Sequence, residues 1–242
     1  MTEPVFARES AQGRSAVVNT FIQSVYNWMA LGLALTGFIA YFVAGVLENM
    51  LLHNPAAFQS IQPLFFVMLI AELGLVFYLA ARIQKIEATT ATAMFIIYAM
   101  LNGVTLSFIF MAYTMSSIAS TFFICAATFG ACSVYGMVTK RDLTGMGQFL
   151  FMGLIGIIIA SVVNFFIHSA GMQMIISYIG VFVFVGLTAY DTQKLKNMAL
   201  TQPDGLEAGV IRKGAIMGAL SLYLDFINMF LFLLRILGSS RN

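Results

Sequence analysis

Two apolar runs near the end of the chain decide the fold, because each has membrane-spanning length and carries one carboxylate. The two stretches read VFVFVGLTAYDTQKLK at 181–196 and GAIMGALSLYLDFINMFLFLLRILG at 214–238. Their acids are Asp191 and Asp225. An ionisable side chain in or beside a membrane span is costly, so it indicates a functional site.

Composition places the chain in a membrane. Of 242 residues, 60% are hydrophobic and only 9% are charged, whereas soluble domains have about 25% charged residues. Such a surface cannot be solvated by water, which excludes an ordinary soluble protein. The net charge of +2 gives no reason to expect nucleic acid.

Seven apolar runs have the length of about 20 residues that a helix needs to cross the bilayer. No alternating pattern of a membrane barrel is present, and helices satisfy their own backbone groups in lipid. The sequence therefore predicts an all-α polytopic protein, with a polar N-terminal arm at 1–20 and one seven-helix domain at 21–242. The predicted spans are 23–46, 61–81, 91–114, 118–138, 146–167, 172–190 and 214–237.

The basic residues predict the orientation. Lys and Arg precede the first span and follow the second, fourth and sixth, whereas the other three connections have none. Positive charge is retained on the cytoplasmic side, so the N-terminus is predicted to be cytoplasmic and the C-terminus external. Arg235 and Arg241 near the C-terminus leave open a re-entrant last helix.

The last span has one small and polar face. Gly214, Gly218, Ser221, Asp225 and Asn228 follow helical spacing. Glycines at this spacing let another helix approach closely, so the last helix is predicted to lie buried at the centre of the bundle. Ser221 and Asn228 are either packing hydrogen bonds or part of an ion path.

Two further side chains are candidates for a site with these acids. Arg82 ends the second span on the same side as Asp191, and arginine forms paired hydrogen bonds with carboxylates. The alternative is that Arg82 only anchors its helix at the membrane surface. Glu72 lies near the middle of the second span, where an acid must face the bundle or be protonated; it is a candidate for the ion path.

Both carboxylate motifs resemble a known family. The run GLTAYDTQK at 186–194 resembles the signature of the Bax inhibitor family, whose bacterial members include YccA-like and YetJ-like proteins, and ALSLYLDFIN at 219–228 resembles its second motif. The resemblance implies seven helices around a central last helix and a pH-sensitive calcium leak. It implies that Asp191 and Asp225 form a hydrogen-bonded pair that gates the pore, and that Arg82 can lock Asp191.

Paired carboxylates explain such a gate physically. Two close acids in a low dielectric cannot readily both ionise, so they share a proton. At lower pH this proton holds the helices together. At higher pH the charges repel and attract a hard divalent cation such as calcium. Asp191 and Asp225 are therefore predicted to sense pH and to bind calcium transiently, with no resident cofactor.

The two acids are predicted to lie at different depths in the membrane, which opposes their pairing. If both spans are centred in the membrane, Asp191 and Asp225 differ in depth by roughly 12 Å. We therefore expect the last helix to begin nearer the cytoplasm than Gly214, or to tilt.

Two other functions were compared with the leak. An intramembrane aspartyl protease is disfavoured, because such enzymes carry Gly-x-Gly-Asp where this chain has LYLD at 222–225. A membrane-embedded regulator that binds a membrane protease stays open, as the YccA-like resemblance implies, with the arm 1–20 as its contact. The expected partners are the lipid bilayer with calcium for the leak, and the lipid bilayer with a membrane protease or another protein for the regulator. For both functions the expected location is a bacterial inner membrane.

Overall fold

Seven long helices make up the computed structural model, which describes residues 5–203 and 206–241. Each is long and apolar enough to cross a membrane, and the only β pairing in the described residues is a single bridge between Tyr113 and Ser240. The all-α, seven-span prediction is therefore confirmed. The helices are α1 (Val5–His53), α2 (Pro55–Arg82), α3 (Ala88–Ala112), α4 (Met115–Val138), α5 (Thr144–Ile167), α6 (Ala170–Thr201) and α7 (Ala208–Leu237).

Short polar connections start the next helix directly after the previous one ends. The side chains of Asn54, Thr114 and Ser169 each accept a hydrogen bond from the backbone N–H three residues later, at the starts of α2, α4 and α6. This satisfies one of the donors that a helix start leaves unpaired. His168 ends α5 with a left-handed φ of 57°, so the chain turns at once into α6.

The last helix lies at the centre of the bundle, as predicted. In α7, 67% of the apolar window is buried inside the protein, compared with at most 33% in any other helix. It packs against α1, α3, α4 and α6. Tyr223 on α7 is fully buried, and its hydroxyl lies 2.7 Å from the Thr36 hydroxyl on α1.

Several helix ends differ from the prediction, and two of them flank the α6–α7 connection. α6 continues eleven residues past Tyr190 to Thr201, and α7 begins at Ala208, six residues before Gly214. The last helix thus begins before Gly214, as expected. Residues 204–205, in the connection between these two helices, lie outside the described part.

The first helix is also longer than its predicted span. It begins at Val5, so most of the predicted arm at 1–20 continues the helix, while residues 1–4 lie outside the described part. Residues 5–22 contain no proline and several good helix formers. Val18, Phe21 and Ile22 pack into the core, which ties this extension to the bundle.

The C-terminal residues return to the connection between α3 and α4. Arg241 N donates to Ala112 O at 2.9 Å, and Thr114 N donates to Ser239 O at 3.2 Å. The Arg241 guanidinium pairs with Glu48 near the end of α1 at 2.8 Å. α7 therefore runs across the bundle and ends on the face opposite to the α6–α7 connection, while it lies deep inside the protein.

Candidate functional site

One large cavity gathers the three acids singled out from the sequence. It has a volume of about 990 Å³ and lies between α2 and α3 on one side and α5 on the other, with α6 and α7 at its base. The polar side chains that line its inner end, from α2, α3, α6 and α7, form its floor. Glu72, Asp191 and Asp225 all line it. Ser221 and Asn228, the other two predicted members, line the same cavity.

Asp191 is bound by the last helix. Ser221 Oγ donates a hydrogen bond to Asp191 Oδ2 at 2.7 Å. The two helices approach closely one turn away, where a Cβ added to Gly218 would lie 2.6 Å from Leu195 Cδ2. The small face of α7 therefore brings its polar residues against α6, as the spacing predicts.

Asp225 lies one turn further along α7 and is almost fully enclosed. Its exposed fraction is 5%, and in the described structure its Oδ2 has no hydrogen-bond partner. The hydrogen bond expected between the two acids is therefore not among the described contacts, since Asp191 is bound by Ser221 instead. Since Ser221 contacts Asp191 directly, Asp225 lies only about 6 Å deeper along the helix axis. The expected offset of roughly 12 Å is thus halved, because α6 extends further and α7 starts earlier than the apolar runs suggest.

Glu72 faces the bundle from the second helix, as an acid at this depth requires. Its exposed fraction is 8%, and Thr105 Oγ1 on α3 donates to Glu72 Oε1 at 2.9 Å. Beside it, Asn102 Nδ2 donates to the Tyr98 hydroxyl at 3.3 Å, and Asn102 Oδ1 has no partner among the described atoms. Tyr98 was missed in the sequence, because an aromatic residue in an apolar span gives no signal of its own.

Arg82 does not meet Asp191 in this structure. Its side chain is exposed and does not line the cavity, and none of the described hydrogen bonds or ion pairs joins it to Asp191. The reason is that α2 packs mainly on α1 and α3, not on α6. The cation that lines the cavity is Lys194, three residues after Asp191 on α6; its i,i+3 spacing was a usable signal.

Calcium ligation at this site has to rely on few carboxylates. In the described part of the chain no group of three His, Cys, Asp or Glu side chains is placed to hold a metal ion. Calcium takes six to eight oxygen ligands, so Asp191 and Asp225 would need hydroxyl, amide or water oxygens beside them. Such a set suits a passing ion better than a resident one.

A second cavity continues the first along α7. It measures about 270 Å³ and includes Ser161, Asn228 and Arg235. Asn228 and Leu231 belong to both cavities. Polar groups therefore follow α7 from Asp191 towards the opposite face, where Arg235 lies over the Phe232 ring at 5.6 Å.

Comparison with known proteins identifies the family. The family model described as inhibitor of apoptosis-promoting Bax1 matches residues 18–242. The chain belongs to the Bax inhibitor family. This confirms the resemblance of the two carboxylate motifs, and both motif acids lie in the large cavity of this Bax inhibitor protein.

Related bacterial chains match over nearly their whole length. The inner membrane protein YbhL of Escherichia coli K12 is 50% identical over 93% of this chain and 94% of its own. An uncharacterized protein of Borreliella burgdorferi is 45% identical, covering 93% of this chain and 94% of the relative. One of Deinococcus radiodurans is 44% identical, covering 93% and 92%. This member of the family is accordingly an integral membrane protein, similar to one of the bacterial inner membrane.

Proposed function

We propose that the protein is a pH-sensitive leak path for calcium or a similar cation, gated by Asp191 and Asp225, in a bacterial inner membrane with a cytoplasmic N-terminus. One observation carries the proposal: both acids line the same cavity beside the buried last helix, and the Ser221 hydroxyl of that helix binds Asp191. A line of polar and ionisable side chains along the most buried of the described helices is otherwise costly in a membrane.

The path runs along α7. A cation entering near Lys194 and Asp191 next meets Ser221, then Asp225 and Asn228, all of which line the large cavity. The smaller cavity continues from Asn228 to Arg235. Asp225 is the narrow point of this path, because it is nearly fully enclosed and nothing in the described structure binds its Oδ2.

Protonation closes the gate and ionisation opens it. With a proton on the pair, α6 and α7 stay together and the path offers no negative charge to a cation. When both acids ionise, their repulsion separates the helices and their oxygens attract a hard cation. Flux should therefore rise with pH. The role of Arg82 as a lock on Asp191 stays a prediction.

Calcium flux into proteoliposomes, followed with an enclosed dye over roughly pH 5–8, tests the gate. Asp191→Asn and Asp225→Asn each remove one ionisable group, so the flux should lose its rise with pH. Asp142→Asn is the matched control, since Asp142 is exposed in the α4–α5 connection. Hydrogen bonds from Thr144 hold the pKa of Asp142 below its usual range, so it stays ionised throughout the test.

Two results would contradict the gate. The first is a normal pH profile in both cavity variants. The second is wild-type protein that carries no cation at any pH, which would favour the membrane-embedded regulator of a protease instead.

A further inference from the structure

The large cavity is bigger than a cation path needs. A calcium ion has at most eight ligands, and eight waters of about 30 Å³ each occupy roughly 240 Å³. The cavity holds about 990 Å³, at the upper end of the range typical of small-molecule sites. Its size therefore leaves room for a second, larger occupant.

The walls of this cavity are apolar and open sideways. Leu69, Leu73 and Phe77 on α2 face Phe151 and Met152 on α5 across it. These five side chains are also exposed at the protein surface or close to it, and α2 and α5 are the two least buried helices. Because α2 packs mainly on α1 and α3, and α5 on α6, the gap between them faces the hydrocarbon of the bilayer. A ligand that enters here must be soluble in lipid.

The floor of the cavity is acidic and rich in acceptors. Glu72, Asp191 and Asp225 line it, against one cation, Lys194. Two residues of the floor, Asn102 and Asp225, have exposed fractions of 8% and 5%, and each has an oxygen without a partner in the described structure. A buried acceptor is costly when it is unpaired. The floor therefore complements a positively charged group that carries N–H donors.

We propose that this cavity binds an amphiphilic primary ammonium ion, with the charged head among the acids of the floor and the hydrocarbon chain between α2 and α5. The same chemistry is available from a free lipophilic amine and from the headgroup of an aminophospholipid. The site does not depend on the proposed leak, because an amine can occupy the cavity whether or not calcium passes through it.

Decylammonium is the probe, with full-length protein in nanodiscs of phosphatidylcholine, whose headgroup has no N–H. Decylammonium should raise the unfolding temperature in a saturable manner. Decanol has a similar chain but no charge, and decyltrimethylammonium has the charge but no N–H donors. Both should therefore bind at least several-fold more weakly than decylammonium. Nanodiscs that also contain phosphatidylethanolamine separate the two sources: competition identifies the lipid headgroup, and its absence identifies a free amine.

Variants locate the site. Glu72→Gln and Asp225→Asn should each weaken decylammonium binding by about tenfold, the effect of losing one charged hydrogen bond. Glu48→Gln is the matched control, because Glu48 pairs with Arg241 outside the cavity, and it should bind like the wild type. Equal binding in all three variants, or decanol binding as tightly as decylammonium, would overturn the proposal.

A second measurement, on the wild-type protein, tests the site even if the variants do not fold. Wild-type protein is irradiated with an alkylamine that carries a diazirine on its chain, and the labelled peptides are identified by mass spectrometry. Labels on α2 and α5, displaced by excess decylammonium, support the site. Labels spread evenly over all lipid-facing helices refute it. Both measurements detect binding alone, so their failure is distinct from a failure of the leak.

Discussion

Removing the Ser221 hydroxyl should move the gate to higher pH. Ser221 Oγ donates to Asp191 Oδ2 at 2.7 Å, and this bond stabilises the charged form of the acid. In Ser221→Ala the charged form loses its donor, so a higher pH is required to ionise the pair. The midpoint of calcium flux against pH should therefore rise.

The size of the shift follows from the bond. A hydrogen bond to a charged group contributes about 1.5–3 kcal/mol, and about 1.4 kcal/mol corresponds to one pH unit. The contact is only partly buried, so solvent screening favours the lower end of this range. We expect the midpoint to rise by about one pH unit.

Proteoliposome flux, measured in steps of pH, provides the assay, and two variants provide the controls. Ser177→Ala removes a buried hydroxyl that bonds only to Gln173 O of its own helix, at 2.8 Å, so its midpoint should not move. Ser221→Thr retains a hydroxyl and should restore most of the wild-type profile. If Ser221→Ala leaves the midpoint unchanged or lowers it, the bond does not set the gate.

Two further predictions concern packing and topology. Gly136→Ala should lower the free energy of unfolding by about 1–3 kcal/mol in chemical denaturation, because the added Cβ would overlap the Ala189 carbonyl oxygen. Gly130→Ala is the control and should be neutral, because a Cβ added there meets no other atom. Equal stability of the two variants would contradict the close α4–α6 contact. In a cysteine-free background, Ser240→Cys should react with an impermeant thiol reagent added outside the cell. Asn197→Cys should react with it only after the membrane is permeabilised. The reverse pattern would contradict the predicted orientation.

Hydropathy predicts the number of helices but not where two of them end. After Asp191 the chain becomes polar, which suggested a loop. In the structure α4 and the connection after it satisfy these polar groups: Gln193 Nε2 donates to Arg141 O at 2.7 Å, and Lys196 Nζ donates to Met137 O at 2.6 Å. A polar residue can remain in a helix when its side chain has a partner on a neighbouring helix, and a single sequence does not identify that partner.

For the candidate site, too, the sequence predicted what depends on one helix and missed what depends on packing between helices. Helical spacing correctly placed Ser221, Asp225 and Asn228 on one face, because that face is a property of one helix. The separation of Arg82 from Asp191 depends on how α2 packs, which spacing within a helix cannot determine. Lys194 has the correct spacing from Asp191 but was not assigned, since a lysine near a span end normally faces the membrane surface.

The extension of α6 changes what kind of site Asp191 can form. Ten residues separate Asp191 from the helix end at Thr201, so the acid lies about 15 Å inside that end. Ser221 is thirteen residues from the start of α7 at Ala208, or about 20 Å. Asp225 lies four residues beyond Ser221, or about 6 Å further along α7, and both acids line the same cavity. The hydrogen bonds of Gln193 and Lys196 to the α4 side thus accompany the extension of α6 that places Asp191 well inside the helix, although neither side chain lines the cavity.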